Sequence, residues 1–306
     1  MPKASLKRID AVRDFNRAYT RKLGVLDEGF LDTQFSLTEA RVLHELSEGD
    51  KTASEISRTL GLDAGYLSRM LERFVKAKLI SRSSSVEDSR SILVSLTRLG
   101  HSAYAPLESR SRDRVVTLVA ALPPSGQTQL IDAMNVVSAL TNAANEKPKI
   151  SLRTHRAGDM GWITQRHAAL YEEEYGYGPL FEAMVADICA QFLKDYQPKW
   201  ERCWIAELNG VPAGSCCLVR ADAKTAKLRL MFLEPWARGK GVAQKLVDEC
   251  IAFARKRRYE KIMLWTQSEL LAARKLYERA GFKLTGTKPH ADFGKKLVGE
   301  TWELSL

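Results

Sequence analysis

At 306 residues, with 45% hydrophobic and 27% charged side chains, the chain is too long for one ordinary domain and apolar enough to bury two cores. Its net charge of +10 is spread along the chain, with 21 Lys+Arg against 18 Asp+Glu up to Lys147, so charge alone does not say which half would meet nucleic acid. No apolar run is long enough to cross a bilayer and Met1 to Leu23 is charged throughout, which predicts a cytoplasmic protein without a leader or membrane partner.

The polar, proline-containing stretch Thr141 to Ser151 parts a helix-rich half from a mixed one, giving domains 1–145 and 152–306 with a linker at 146–151. In the first half, Ser36-x-x-Glu39 and Thr52-x-x-Glu55 mark two helix starts, each with a hydroxyl cap and a glutamate reaching back. From Thr52 the pattern predicts a short helix through Leu60, a turn at Gly61-Leu62, a cap at Asp63 and a longer helix to about Leu79, which is helix-turn-helix grammar. In that longer helix Leu67, Met70, Leu71, Phe74 and Val75 form an apolar stripe. Tyr66, Ser68, Arg69, Arg73 and Lys76 are left on the more exposed faces, suited to phosphates and base edges, or else to water alone.

A strand, a polar loop and a strand from Ile92 to Leu96 follow, a hairpin placed where a wing would be. This succession, with Asp88-Ser89-Arg90 in the hairpin loop and Leu96-Thr97-Arg98-Leu99-Gly100 opening the long helix, resembles the MarR family of winged-helix regulators over roughly residues 5 to 145. The resemblance implies a mostly α winged helix-turn-helix domain on double-stranded operator DNA, with Arg90 in the minor groove and Asp88 orienting it. It also implies a homodimer through the first helix, here about Ser5 to Leu23, and the last two, about Leu99 to Ala121 and Ser125 to Ala143, whose apolar content is high, on a pseudo-palindromic site.

The second half reads as mixed α/β. Leu152 to Arg156 is a strand, Asp159 to Tyr175 and Leu180 to Tyr196 are helices, and Asn209-Gly210 joins two strands as a hairpin turn. A strand from Ala226 to Leu233 feeds a helix over Lys240 to Arg257, and strand Lys261 to Thr266, helix Glu269 to Ala280 and terminal strands near Leu284 and Thr301 to Leu306 complete the order. The five cysteines, Cys189, Cys203, Cys216, Cys217 and Cys250, lack metal-ligand spacing, so reduced thiols and no metal are expected.

Between strand and helix stands Arg238-Gly239-Lys240-Gly241, where unpaired helix N–H groups and two cations would favour a pyrophosphate. A dinucleotide fingerprint does not fit: the triple-glycine spacing is missing, and no parallel βαβ unit is expected. "RLMFLEPWARGKGVAQKLVDE" and "LWTQSELLAARKLYERAGFKL" together resemble the GNAT superfamily of acetyl-CoA-dependent N-acetyltransferases over about residues 151 to 306. That likeness implies an α/β fold with a mixed, mostly antiparallel central sheet and acetyl-CoA as co-substrate. Backbone of Met231, Phe232 and Leu233 would pair with pantetheine, Arg238, Gly239, Lys240, Gly241, Val242 and Ala243 would wrap the pyrophosphate, and Tyr277 would protonate the departing thiolate.

Two departures matter: Trp265 stands where many relatives carry a glutamate, and Leu270 where many carry an asparagine. The base is then sought at Glu174 or His290, in a water relay, or in an amine that binds already neutral. For the acceptor, Arg229 suits a carboxylate, and Tyr171, Tyr175, Tyr177, Trp162 and Trp302 suit a pocket, suggesting a small amine or amino acid with an aromatic or apolar part. The expectation is a dimeric DNA-binding regulator fused to a working small-molecule acetyltransferase. Two alternatives are a regulator whose second domain only senses acetyl-CoA or an effector, and a protein acetyltransferase brought to DNA by its first domain.

Overall fold

The computed structural model describes residues 5–24, 30–84, 92–141 and 149–306. The chain divides into two compact units, Met1–Gln127 and Thr128–Leu306.

In the first unit α1 (Leu6–Lys22), α2 (Leu37–Ser47), α3 (Ala53–Leu60) and α4 (Ala64–Lys76) precede β2 (Ile80–Ser84), β3 (Ile92–Leu96) and α5 (Arg98–Ala120), with α6 (Pro124–Thr141) running across the division. Both capping boxes form: Ser36 with Glu39 opens α2, and Thr52 with Glu55 opens α3. Gly61 turns the chain at φ 65°, and the Asp63 carboxylate accepts from the Tyr66 N–H at 2.8 Å to start α4. That helix stops at Lys76, short of the expected Leu79, because Lys78 adopts φ 57° and the Leu79 N–H turns back to Phe74 O at 2.9 Å.

A two-residue strand unforeseen in the sequence, β1 (Lys51–Thr52), completes a three-stranded sheet of order β1-β3-β2. Its brevity hides it from any periodicity. Leu43, Ile56, Leu67, Met70 and Leu71 fill the core beneath, whereas Val75, assigned to the same stripe, is exposed. The expected wing residues Asp88 and Arg90 lie outside the described residues.

The second unit is a seven-stranded sheet of order β4-β5-β6-β7-β8-β10-β9, formed by β4 (Ile150–Thr154), β5 (Arg202–Leu208), β6 (Val211–Arg220), β7 (Thr225–Leu233), β8 (Lys261–Gln267), β9 (Lys283–His290) and β10 (Leu297–Ser305). The β5–β6 turn at Asn209-Gly210 takes φ 53° and 83°, as a two-residue hairpin with right-handed strand twist requires. Every pairing is antiparallel except β7 with β8. That exception corrects the sequence reading, since β7, α9 (Val242–Lys256) and β8 do form a parallel βαβ unit. The triple-glycine spacing is still missing.

One face of the sheet packs on α9 and α10 (Leu271–Arg279) through Leu218, Leu228, Leu246, Ile262 and Leu264; the other packs on α7 (Asp159–Tyr175) and α8 (Pro179–Asp195) through Ile163, Val185, Ile205 and Cys217. All five cysteines are free and buried. Along β7 the alternation of faces breaks at Leu230, a non-glycine residue at φ 52°, where the register with β6 shifts and Ser215 Oγ donates to Leu230 O at 2.6 Å. Before this bulge Ala226 and Leu228 face α9; after it Leu230 and Phe232 face α7 and α8.

Gly214 of β6 backs the same stretch. A Cβ there would lie 2.5 Å from Phe232 O and 2.4 Å from a Leu233 methyl. Gly214→Ala is expected to cost about 1–3 kcal/mol by forcing β7 outward, read as a lowered midpoint in thermal unfolding, whereas an unchanged midpoint would show that β7 yields freely.

Candidate functional site

Parallel pairing of β7 with β8 runs from Thr225↔Lys261 to Leu228↔Leu264 and stops there, although β7 continues to Leu233 and β8 to Gln267. The strands diverge into a wedge, and the backbone of β7 beyond Leu228 has no strand partner on that side. Two adjoining cavities fill the wedge. The larger, of about 490 Å³, lies between β7, β8, α7, α8 and α10; the smaller, of about 300 Å³, follows the end of β7 onto the loop before α9. Tyr171, Met231, Leu270 and Ala273 line both.

The loop is built for an anion. Gly239 and Gly241 adopt φ 74° and 82°, so the left-handed backbone itself demands glycine, and space is open where each side chain would project. Gly241 is the N-cap of α9 without any side-chain cap, so the first N–H groups of a 15-residue helix point out of the loop unpaired by side chains. Arg238, Gly239 and Ala243 line the smaller cavity with Met231, Phe232 and Leu233. Val242 turns its side chain into the core, leaving only its backbone to the loop. These features fit a diphosphate at the loop and an extended chain along the free edge of β7.

Arg238 is engaged: its guanidinium makes a bidentate pair with Glu174 of α7, at 3.0 and 2.7 Å. Glu174, expected as a candidate base, is thus held at the mouth of the loop, where the pair clamps α7 to the start of the loop. A second clamp joins Arg166 of α7 to Glu234, just past β7, at 2.5 and 3.0 Å. Helix α7 is thereby tied to both ends of the loop's entrance.

In the larger cavity Tyr277 is buried, and burial holds its hydroxyl well above the usual phenol range, so it keeps its proton. Tyr171 and Arg229 also line this cavity, while Tyr175 lines the smaller one. His290 stands behind the lining: its Nε2 donates to Gln267 Oε1 at 3.0 Å, and its Nδ1 lies 3.2 Å from Asp292 Oδ2. Trp302, expected in the acceptor pocket, is buried in the core on the opposite face, with the Arg274 guanidinium of α10 6.0 Å from its ring; its neighbour Thr301 lines the cavity instead. The one-residue alternation of β10 decides this, since Thr301 pairs with Trp265 and Trp302 with Leu264.

Three lining groups escaped the sequence reading. His167 is buried on α7, one ring contact from Tyr171 and Phe232, with Nδ1 donating to Ile163 O at 2.9 Å. Its Nε2 is left as the accepting nitrogen. Gln267, 2% exposed, has its Nε2 buried without a hydrogen-bond partner among the described residues. Lys227 lies two residues before Arg229 on the same face of β7; that spacing was the one legible signal.

In the first unit Tyr66, Ser68, Arg69, Arg73 and Lys76 are exposed on α4, and all but Ser68 border one shallow depression. Arg73 pairs with Glu39 at 3.0 Å, whereas Arg69 has no ion-pair partner among the described residues.

Comparison with known proteins matches each unit. Residues 166–282 match the acetyltransferase (GNAT) family model, and residues 33–91 match the MarR family model. The N-acetylaspartate synthetase of Danio rerio is 37% identical over 103 residues, 33% of this chain and 36% of that protein. YfiV of Bacillus subtilis, an uncharacterized HTH-type transcriptional regulator, is 26% identical over 126 residues, 40% of this chain and 78% of that protein. A solved acetyltransferase from Streptococcus agalactiae aligns over 51% of this chain and 98% of its own at 24% identity, with a TM-score of 0.40. The chain spans about a third of the length of the curated acetyltransferases it matches.

His167 gives the second unit a pH signature. Burial lowers its pKa from 6.5 to about 4, so between those values the unfolded chain binds a proton that the folded chain refuses. Stability is therefore complete above pH 6.5 and falls as pH drops towards 4, by roughly 3 kcal/mol. Denaturant unfolding across this range should show that decline, and His167→Gln should flatten it; an equal slope in the variant would mean other groups dominate.

Proposed function

We propose that this chain, which joins a MarR-family segment to a GNAT acetyltransferase domain, is a DNA-binding regulator that also acetylates the amine of a small amino-acid-like acceptor. The observation that carries the catalytic reading is the wedge between β7 and β8, with an uncapped helix N-terminus at one end and a buried, protonated Tyr277 lining the other.

Bound acetyl-CoA would supply an acetyl thioester, an acyl group already activated for transfer to nitrogen. The free edge of β7 from Met231 to Leu233 offers main-chain groups to the pantetheine arm, and Arg238 with the N–H groups of the Gly239 to Ala243 loop receives the diphosphate. Engaging Arg238 requires it to exchange Glu174 for phosphate. Tyr277 gives its phenolic proton to the sulfur as the carbon–sulfur bond breaks, while the new carbon–nitrogen bond forms and the amine sheds its own proton. His167 Nε2 accepts a hydrogen bond from the acceptor amine and aims its lone pair. With its pKa near 4 it orients rather than stores the proton, so the amine enters neutral, the proton its nitrogen loses on forming the amide passes to water, and water returns a proton to the Tyr277 phenolate. Arg229 holds the acceptor's carboxylate, and the relative named N-acetylaspartate synthetase supports an amino-acid acceptor.

The alternative of a non-catalytic sensor is favoured by one observation: among the described residues no carboxylate lines the larger cavity. The two readings separate in a thiol-release assay. Tyr277→Phe is expected to lower kcat about 100-fold or more while leaving acetyl-CoA affinity within a few-fold. Acetyl-CoA binding without thiol release across a broad amine panel would support the sensor.

For the first unit, the α4 face carries the DNA reading, with Arg69 at its centre. Dimerisation is supported by α1 and α6, neither of which buries a residue, and by exposed Leu6, Val12, Phe15, Val115, Val116, Ile131, Val137 and Leu140 on α1, α5 and α6. Among the described residues no helix is long and apolar enough to cross a membrane, and the reading places the regulator in the cytoplasm. Arg69→Ala should weaken operator binding about 10-fold and reduce the dependence of log K on log salt by about one charge. Equal affinity and slope would remove α4 from the interface.

A further inference from the structure

The larger cavity holds more positive charge than one carboxylate needs. Lys227 and Arg229 project from the same face of β7, roughly 7 Å apart along the strand, into a space otherwise lined mainly by Phe181, Met184, Val185, Ile188 and Leu230. Among the described residues neither cation pairs with a carboxylate, and Arg229 Nε is buried without any hydrogen-bond partner. Burial opposes the charged form of both, and the Arg229 charge further opposes that of Lys227. A protein of this kind gains nothing in stability from two uncompensated charges beside apolar walls. Gln267, its Oε1 occupied by His290, also lines the cavity, and its buried amide Nε2 has no hydrogen-bond partner among the described residues. Three groups short of an acceptor thus converge on one cavity. The diphosphate cradle lies at the other end of the wedge, on the smaller cavity, so these cations are not needed there.

We propose that Lys227, Arg229 and Gln267 form a site for two separate carboxylates, so that the acetyl acceptor is a dicarboxylic amino acid. This rests on the acetyltransferase reading for the word acceptor, but the dicarboxylate site itself does not. Arg229, nearer the bulge and the free edge of β7, takes the carboxylate beside the amine; Lys227, farther from the reacting end, takes the second. Gln267 donates to a carboxylate oxygen, and His290 fixes which end of its amide faces the cavity. The apolar wall of α8 covers the short carbon chain between the two charges, which excludes a second charged group of positive sign.

The test is calorimetry on the full chain saturated with coenzyme A, titrated with L-aspartate, L-glutamate, L-asparagine and L-alanine, beside thiol release from acetyl-CoA with the same amino acids. The better dicarboxylate should bind at least ~30-fold more tightly than L-asparagine or L-alanine. Lys227→Gln should erase that preference while coenzyme A affinity is kept as proof of folding, and Lys227→Arg should restore most of it. A dicarboxylate that binds no better than L-asparagine, or a preference that survives Lys227→Gln, overturns the proposal even if other amines are acetylated. Dicarboxylate binding that depends on Lys227 without thiol release upholds the site and overturns the catalytic reading instead.

Discussion

Parallel hydrogen bonding between β7 and β8 ends at Leu228 and Leu264, and the functional features of the second unit depend on that interruption. A continuous ladder would satisfy the backbone of Met231 to Leu233 and close the space beside it. The bulge at Leu230 prevents this: its left-handed backbone, held by Ser215 Oγ, turns the strand so that successive side chains exchange faces. Arg229 and Leu230 therefore both face α7 and α8, while Met231 moves between the two cavities. Strain of this order is small beside the burial around it, and it leaves a preformed edge for an extended ligand.

Electrostatics divide the wedge into two ends with different tasks. At the loop, Arg238 is held by Glu174 and stays paired until an anion competes for it, which keeps the site compact at low cost because the pair is partly solvated. Inside the larger cavity, Lys227 and Arg229 have no such ion-pair partner among the described residues, and the apolar wall of α8 makes their charge more expensive. In the proposed reading a diphosphate would meet backbone dipoles and one exchangeable cation, and a carboxylated acceptor would meet the two cations of the larger cavity. Tyr277 lines the same cavity, and its burial favours the protonated phenol that a leaving thiolate requires.

The first unit achieves its geometry by local satisfaction. Capping boxes at Ser36 and Thr52 and the Asp63 cap set the ends of three helices before any distant contact is made. Thr97 then joins local and distant order: its Oγ1 donates to Lys78 O at 2.6 Å and accepts from Gly100 N at 3.0 Å, locking the exit of α4 to the start of α5. The exposed face of α4 is thus presented by a rigid frame, and the apolar residues left outside on α1 and α5 are the part of this unit that its own core does not absorb.

Most elements of both units were legible in the sequence, because caps, the Asn209-Gly210 turn and apolar periodicity act over a few residues and each carries its own physical signal. The loop from Arg238 to Ala243 and the place of Tyr277 on its helix were legible for the same reason. Periodicity says which residues of one element share a face; it does not say which elements that face will meet. Strand order placed Trp302 in the core of the opposite face and Thr301 in the cavity, and the packing of α7 brought in His167 and committed Glu174 to Arg238. The β7–β8 pairing, and with it the convergence of Lys227, Arg229 and Gln267, comes from residues more than thirty positions apart, and only the assembled sheet decides it.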